Sequence, residues 1–146
     1  MSASEFYDIL KNNRHRLLDY LTSHNYDDIK TELLYIEETN NSTFDIVQRL
    51  LLGYVGLECN KQMAIYELPT IELINTIASV CQELGLFKIE EISAGTGLLS
   101  GMISRLTNID ITATDGKTWL ETSNTFYPVQ EKLFLEYALD NNHILN

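Results

Sequence analysis

Phe87-Lys88-Ile89-Glu90-Glu91-Ile92-Ser93-Ala94-Gly95-Thr96-Gly97 is the stretch where the chain changes period, and its reading decides the fold. Residues 87–93 have strand character, Ala94-Gly95-Thr96-Gly97 reads as a glycine turn, and Leu98, Met102, Ile103 and Leu106 then recur at helical spacing. Ile109-Asp110-Ile111-Thr112-Ala113-Thr114-Asp115 follows, alternating and β-branched, as a second strand. Strand, glycine turn, helix and strand make a βαβ unit, for which a right-handed crossover between parallel strands is the favoured geometry. The two strands are expected side by side, with any ligand over their carboxyl ends.

Upstream of this unit the chain reads as helix after helix. Phe6, Ile9, Leu10, Leu17 and Leu21 fall at three- and four-residue steps after Ser4, a candidate N-cap, and Ile29, Leu33 and Ile36 repeat the pattern after a turn at 25–28. A third helix is predicted beyond Asn40-Asn41-Ser42, with Phe44, Val47, Leu51 and Val55 on one face. The clearest begins at Pro69-Thr70, carries Ile71, Ile74, Ile77, Cys81 and Leu84, and meets Gly85 where a left-handed cap belongs. Downstream, 117–124 reads as loop and 125–129 as a short edge-like strand or extended segment. Residues 130–139 read as a helix with Val129, Leu133 and Tyr137 inward, and 143–146 as the opening of another strand. The predicted organisation is a helical segment at 1–60 packed with a sheet-containing part at 61–146 as one globular unit.

Composition narrows the partners. The 146 residues hold 21 Asp and Glu against 10 Lys and Arg, a formal charge of −11, with no basic stripe able to neutralise a run of phosphates. Strong direct nucleic-acid binding is therefore not expected. Apolar runs such as Leu50-Leu51-Leu52 fall far short of the ~20 residues a membrane-spanning helix needs, and the N-terminus lacks a secretory pattern. The expectation is a cytoplasmic protein with no membrane association. Cys59 and Cys81 form no CxxC pair, and His15, His24 and His143 are scattered, so no metal spacing appears. Both cysteines read as reduced thiols, with a single disulfide as the alternative.

The chemistry concentrates at the glycine turn. Glycines between a strand and a helix let a ligand approach the backbone, and the helix start presents unpaired N–H groups. Asp115, about twenty residues beyond Gly95, is placed to accept hydrogen bonds from two ribose hydroxyls, so the arrangement fits an adenosine-containing ligand. A dinucleotide fingerprint wants glycine at 95, 97 and 100, but position 100 is Ser100. Glu91 just before the turn would repel a pyrophosphate, whereas a carboxylate there suits the ammonium and sulfonium of S-adenosylmethionine.

At these residues the sequence resembles the class I, Rossmann-like S-adenosylmethionine-dependent methyltransferases. Their first motif is an acid, an apolar residue and then Gly-x-Gly-x-Gly. Here Glu91, Ile92, Ser93, Ala94, Gly95, Thr96 and Gly97 take those places, with Ser93 standing for the first glycine. Asp115, followed by Gly116, takes the place of the ribose-binding acid. The resemblance covers 89–115 and extends more weakly back to about Gln62. It implies an α/β fold: a helical N-terminal half beside an incomplete Rossmann-like parallel sheet with a βαβ cofactor-binding unit. It also implies S-adenosylmethionine or S-adenosylhomocysteine as ligand, held by Glu91, Ser93, Ala94, Gly95, Thr96, Gly97, Asp115 and Gly116. The family's acceptor-site motif after the fourth strand finds no counterpart before Asn146, so the domain is expected to be truncated and no catalytic residue is assigned.

Other readings remain open. The glycines and Asp115-Gly116 can be turns alone, and Glu90 and Glu91 a solvated and a salt-bridged edge residue. Tyr66, Trp119, Phe126 and Tyr127 are candidates either for stacking on an adenine or for core packing. A non-catalytic interaction module derived from the same fold is the main functional alternative, because an uncovered sheet edge calls for a homo-oligomer or a partner protein. A nicotinamide-dependent oxidoreductase would need the glycine missing at Ser100 and a Tyr-x-x-x-Lys pair that the chain lacks.

Overall fold

A computed structural model describes residues 5, 8, 9, 14–39, 68–116, 125–133, 135 and 139. Its elements, in chain order, are helices α1 (Arg14–Ser23), α2 (Tyr26–Thr39) and α3 (Ile71–Leu84), strand β1 (Lys88–Ile92), helix α4 (Leu98–Leu106), and strands β2 (Asp110–Asp115) and β3 (Val129–Glu131). Glu5, Asp8 and Ile9 are also helical. The third predicted helix, Cys59, Tyr66, Trp119 and the strand expected at 143–146 lie outside the described residues.

The helix ends follow from side-chain and backbone chemistry. Asn25 Oδ1 accepts from the backbone N–H of Asp28 at 2.9 Å and opens α2. Thr70 Oγ1 accepts from Leu73 N at 3.3 Å and opens α3. At the far end Gly85 takes φ +67, its N–H bonds to the Gln82 carbonyl, and Leu86 N bonds to the Cys81 carbonyl, the paired bonds of a Schellman motif. Glu72 of α3 accepts from Tyr26 N through both oxygens, at 3.0 and 3.1 Å, and so ties α3 to the start of α2. His24, at the end of α1, bonds through Nδ1 to the Tyr20 carbonyl at 2.8 Å and stacks on the Tyr20 ring.

The sheet is parallel, in the order β1-β2-β3. Lys88 pairs with Asp110 and Ile92 with Thr114, so the two strands of the βαβ unit are neighbours as the spacing predicted. Strand alternation puts Ile89, Glu91, Ile111, Ala113 and Asp115 on one face, and Lys88, Glu90, Ile92, Asp110, Thr112 and Thr114 on the other. The core lies on the first face. Leu17, Leu18 and Leu21 of α1, Ile29 of α2, Ile74 of α3, and Leu98, Met102 and Ile103 of α4 close over Ile111. Gly101 brings α1 close to α4, since a Cβ there would stand 3.3 Å from Leu18 Cδ2, and Arg105 pairs with Asp19 across the same contact.

The C-terminal reading needs correction. The strand is Val129–Glu131 rather than 125–129, and Gln130 and Glu131 belong to it rather than to a helix. Val129 pairs with Ala113, while Phe126 and Tyr127 use their polar groups outside the ladder: Phe126 N donates to the Thr96 carbonyl and Tyr127 OH to the Ile111 carbonyl. Pro128, lacking an N–H, stands just before the pairing begins. Leu133, predicted inward, is 59% exposed and lies in neither strand nor helix, just beyond the end of β3.

Candidate functional site

The loop at 93–97 joins the carboxyl end of β1 to the start of α4 and alternates left-handed residues: Ser93 at φ +60, Gly95 at +58 and Gly97 at +75. Only glycine takes this conformation at little cost. The two glycines serve different needs. A Cβ on Gly97 would stand 3.0 Å from Val129 Cγ2 and 3.1 Å from Tyr127 Cβ, so that position is filled by the chain's own packing. A Cβ on Gly95 would meet nothing within 4 Å, so the loop is open to approach there. Ser93 takes the same left-handed backbone as the two glycines and bears the strain of a side chain in that region.

Asp115 closes the loop from the adjacent strand. Its Oδ2 accepts from Gly95 N and its Oδ1 from Gly116 N, each at 2.5 Å, and the residue is 7% exposed. Backbone bonds fix the rest: Ala94 N to the Thr114 carbonyl, Gly97 N to the Ala94 carbonyl, and Lys132 N to the Asp115 carbonyl. The structure thus gathers Ser93, Ala94, Gly95, Thr96, Gly97, Asp115 and Gly116 at the carboxyl ends of β1 and β2.

Glu91 reaches from β1 to the start of α4. Gly97 caps α4 without a side-chain bond, and Glu91 supplies what it lacks: Oε2 accepts from Ser100 N at 3.1 Å and from the Ser100 hydroxyl. A carboxylate at the first turn of a helix satisfies an orphan N–H and meets the positive end of the helix dipole. Burial pushes the Glu91 carboxyl pKa above its usual value. The Ser100 bonds pull it down, and the charge of Asp115 adds to the rise.

Ser100 is a site-supporting residue that sequence reasoning did not assign. Ser100 was noticed only as a missing glycine. Phe126 and Tyr127, candidates for stacking or for core packing, are both half-buried against the core, and their hydrogen bonds hold the loop and β2.

Two cavities lie away from the loop. One of about 270 Å³ sits beside the amino end of the sheet, between α3 and residues 107–109. The other, of about 480 Å³, is lined by Tyr20 and His24 of α1 and Asp28, Thr31 and Glu32 of α2. Among the described residues no group of three or more His, Cys, Asp or Glu is placed to hold a metal, and no helix is long and apolar enough to cross a membrane. Compared with models of protein families, with curated proteins and with solved structures, the chain matches none of them.

Proposed function

We propose that the chain is a methyltransferase-like protein that binds S-adenosylmethionine, or its demethylated product S-adenosylhomocysteine, at residues 93–97 and Asp115. The observation that carries this reading is the contact between Gly95 and Asp115 across the ends of two adjacent parallel strands, beside the open space at Gly95. A carboxylate has about four lone-pair sites, and Asp115 uses one on each oxygen for a backbone N–H. The second site on each oxygen matches a pair of ribose hydroxyls. Glu91, through Oε1, is the group on the methionyl side able to meet an ammonium. Bound there, the cofactor would supply an electrophilic methyl group on its sulfonium. The chain's own share is to bind and orient it, and no residue is assigned to the acceptor.

Isothermal titration with S-adenosylhomocysteine tests this, with NAD as the comparison ligand. Binding of the homocysteine compound supports the reading. No binding at millimolar ligand, or stabilisation by NAD instead, overturns it.

The exposure of β1 favours a second reading, a module that docks on another chain. β2 is mostly buried whereas β1 is not, and Phe87 and Ile92 at its two ends are 76% and 36% exposed.

A further inference from the structure

Ala78, Cys81 and Gln82 stand at i, i+3 and i+4 on α3, so they share one face of the helix, and all three line the cavity of about 270 Å³. Two of them are small. Ile71, Ile74 and Ile77 give the earlier turns of α3 branched bulk, and the cavity opens where Ala78 and Cys81 carry less. Leu86 and Phe87, brought round by the turn at Gly85, and the segment 107–109 form its other walls.

Those walls are pinned by their own hydrogen bonds. The carbonyls of Cys81, Gln82 and Phe87 accept from the N–H groups of Leu86, Gly85 and Asp110. Thr107 Oγ1 donates to the Ile103 carbonyl and accepts from Ile109 N. These bonds fix the shape and occupy polar groups of the lining, so the surface turned to the cavity is mostly hydrocarbon. Among the described residues none that lines it carries a formal charge. What is left is the thiol of Cys81, a free cysteine only 6% exposed, and the amides of Gln82 and Asn108, both exposed residues. A well-held water needs about two to four polar partners, which such a lining supplies poorly, so an apolar ring gains by displacing water from it.

Size and charge select the ligand. An apolar cavity of roughly 150 Å³ accepts a benzene ring. At about 270 Å³ this one accommodates one or two fused rings and falls below the ~300 Å³ at which pockets for larger ligands begin. Phe87, 76% exposed, offers a ring to stack on. A charged ligand would give up hydration with no opposite charge in the lining to replace it.

We propose that this cavity binds a small uncharged aromatic molecule of one or two rings, packed against Phe87 and the Cys81 sulfur, with any polar substituent toward the amides of Gln82 and Asn108. Phe87 and Ile109 precede the amino ends of β1 and β2, roughly 15–20 Å along the strands from the loop at 93–97. The site is therefore independent of cofactor binding at that loop.

The test uses the full chain with indole as probe and indole-2-carboxylate as the same rings bearing a charge. Two-dimensional NMR follows the amides of 85–87 and 107–109, and iodoacetamide alkylation of Cys81, mapped by peptide mass, follows access to the cavity. Indole is expected to shift those amides saturably and to slow alkylation of Cys81 in step with occupancy, and the carboxylate to bind about tenfold or more weakly. Phe87→Ala, at an exposed position, should keep the fold and weaken indole binding about three- to tenfold. Ala78→Leu, which fills the cavity, should abolish both responses. No saturable shift at millimolar indole overturns the proposal, as does binding that leaves Cys81 alkylation unchanged or is undiminished in folded Phe87→Ala. Equal binding of indole-2-carboxylate overturns the uncharged class of ligand.

Discussion

The backbone N–H of Gly95 and Oδ2 of Asp115 meet at 2.5 Å, joining residues 20 apart in the chain at the ends of neighbouring parallel strands. The same carboxylate takes the N–H of Gly116 on its other oxygen, so one acid organises two turns. Asp115 is therefore a structural anchor before any ligand is considered.

Asp115→Ala leaves two N–H groups without their charged acceptor and is expected to lower stability by about 2–3 kcal/mol. Asp115→Asn retains one acceptor oxygen and should lose roughly half as much. Urea unfolding of the two variants measures the difference, and equal stability of Asp115→Ala and wild type would contradict the anchoring role. Both variants should also bind S-adenosylhomocysteine more weakly, read by titration under conditions where each remains folded.

Ser93 is the position where a substitution should stabilise. Its φ of +60 is unfavourable for a side-chain-bearing residue, and glycine relieves that strain while adding entropy to the unfolded chain. The balance predicts a gain of about 0.5–1 kcal/mol for Ser93→Gly, seen as a higher urea midpoint. A lower midpoint would mean that the Ser93 side chain makes a contribution larger than the backbone strain.

The two loop glycines should respond unequally to alanine. Gly97→Ala combines left-handed strain with a clash against Val129 and Tyr127, and is expected to cost about 2–4 kcal/mol. Gly95→Ala meets no atom and incurs only the backbone strain, about 1–2 kcal/mol, yet places a methyl in the open space assigned to the ligand. Thermal melts and ligand titration together separate these effects. Gly97→Ala should be the greater loss of stability, and Gly95→Ala the greater loss of affinity in the protein that remains folded.

Local signals carried most of the fold. The Thr70 and Gly85 caps of α3 and the strand, glycine, helix, strand succession need only near neighbours in the chain, and their pattern is written in residue type and spacing. β3 was misplaced because Val129–Glu131 is too short to show a period and owes its conformation to Ala113 and Asp115, which are distant in sequence. The roles of Glu91 and Ser100 were hidden for a related reason: a carboxylate on a strand capping the helix that follows it has no fixed spacing to recognise. The left-handed backbone of Ser93, itself named as a site residue, was not foreseen because glycine, not serine, is the usual mark of that conformation.

Glu91 gives the chain a pH dependence of known sign. Its folded carboxyl titrates above the ordinary value of 4.5, chiefly through burial, while in the unfolded chain it titrates at that value. The folded state therefore binds the proton more tightly, and the stability contributed by protonated Glu91 is fully present below the unfolded pKa and lost as pH rises through the folded one. Glu91→Gln is neutral throughout and keeps an oxygen to accept from Ser100, so it retains the bonds without this titration. Urea midpoints of both proteins between about pH 4 and about pH 8 should show the wild type losing stability relative to Glu91→Gln as pH rises, then running parallel once Glu91 is fully ionised. A wild type that gains on the glutamine variant over that interval would show that the Ser100 bonds outweigh burial, and would place the Glu91 pKa below its unfolded value.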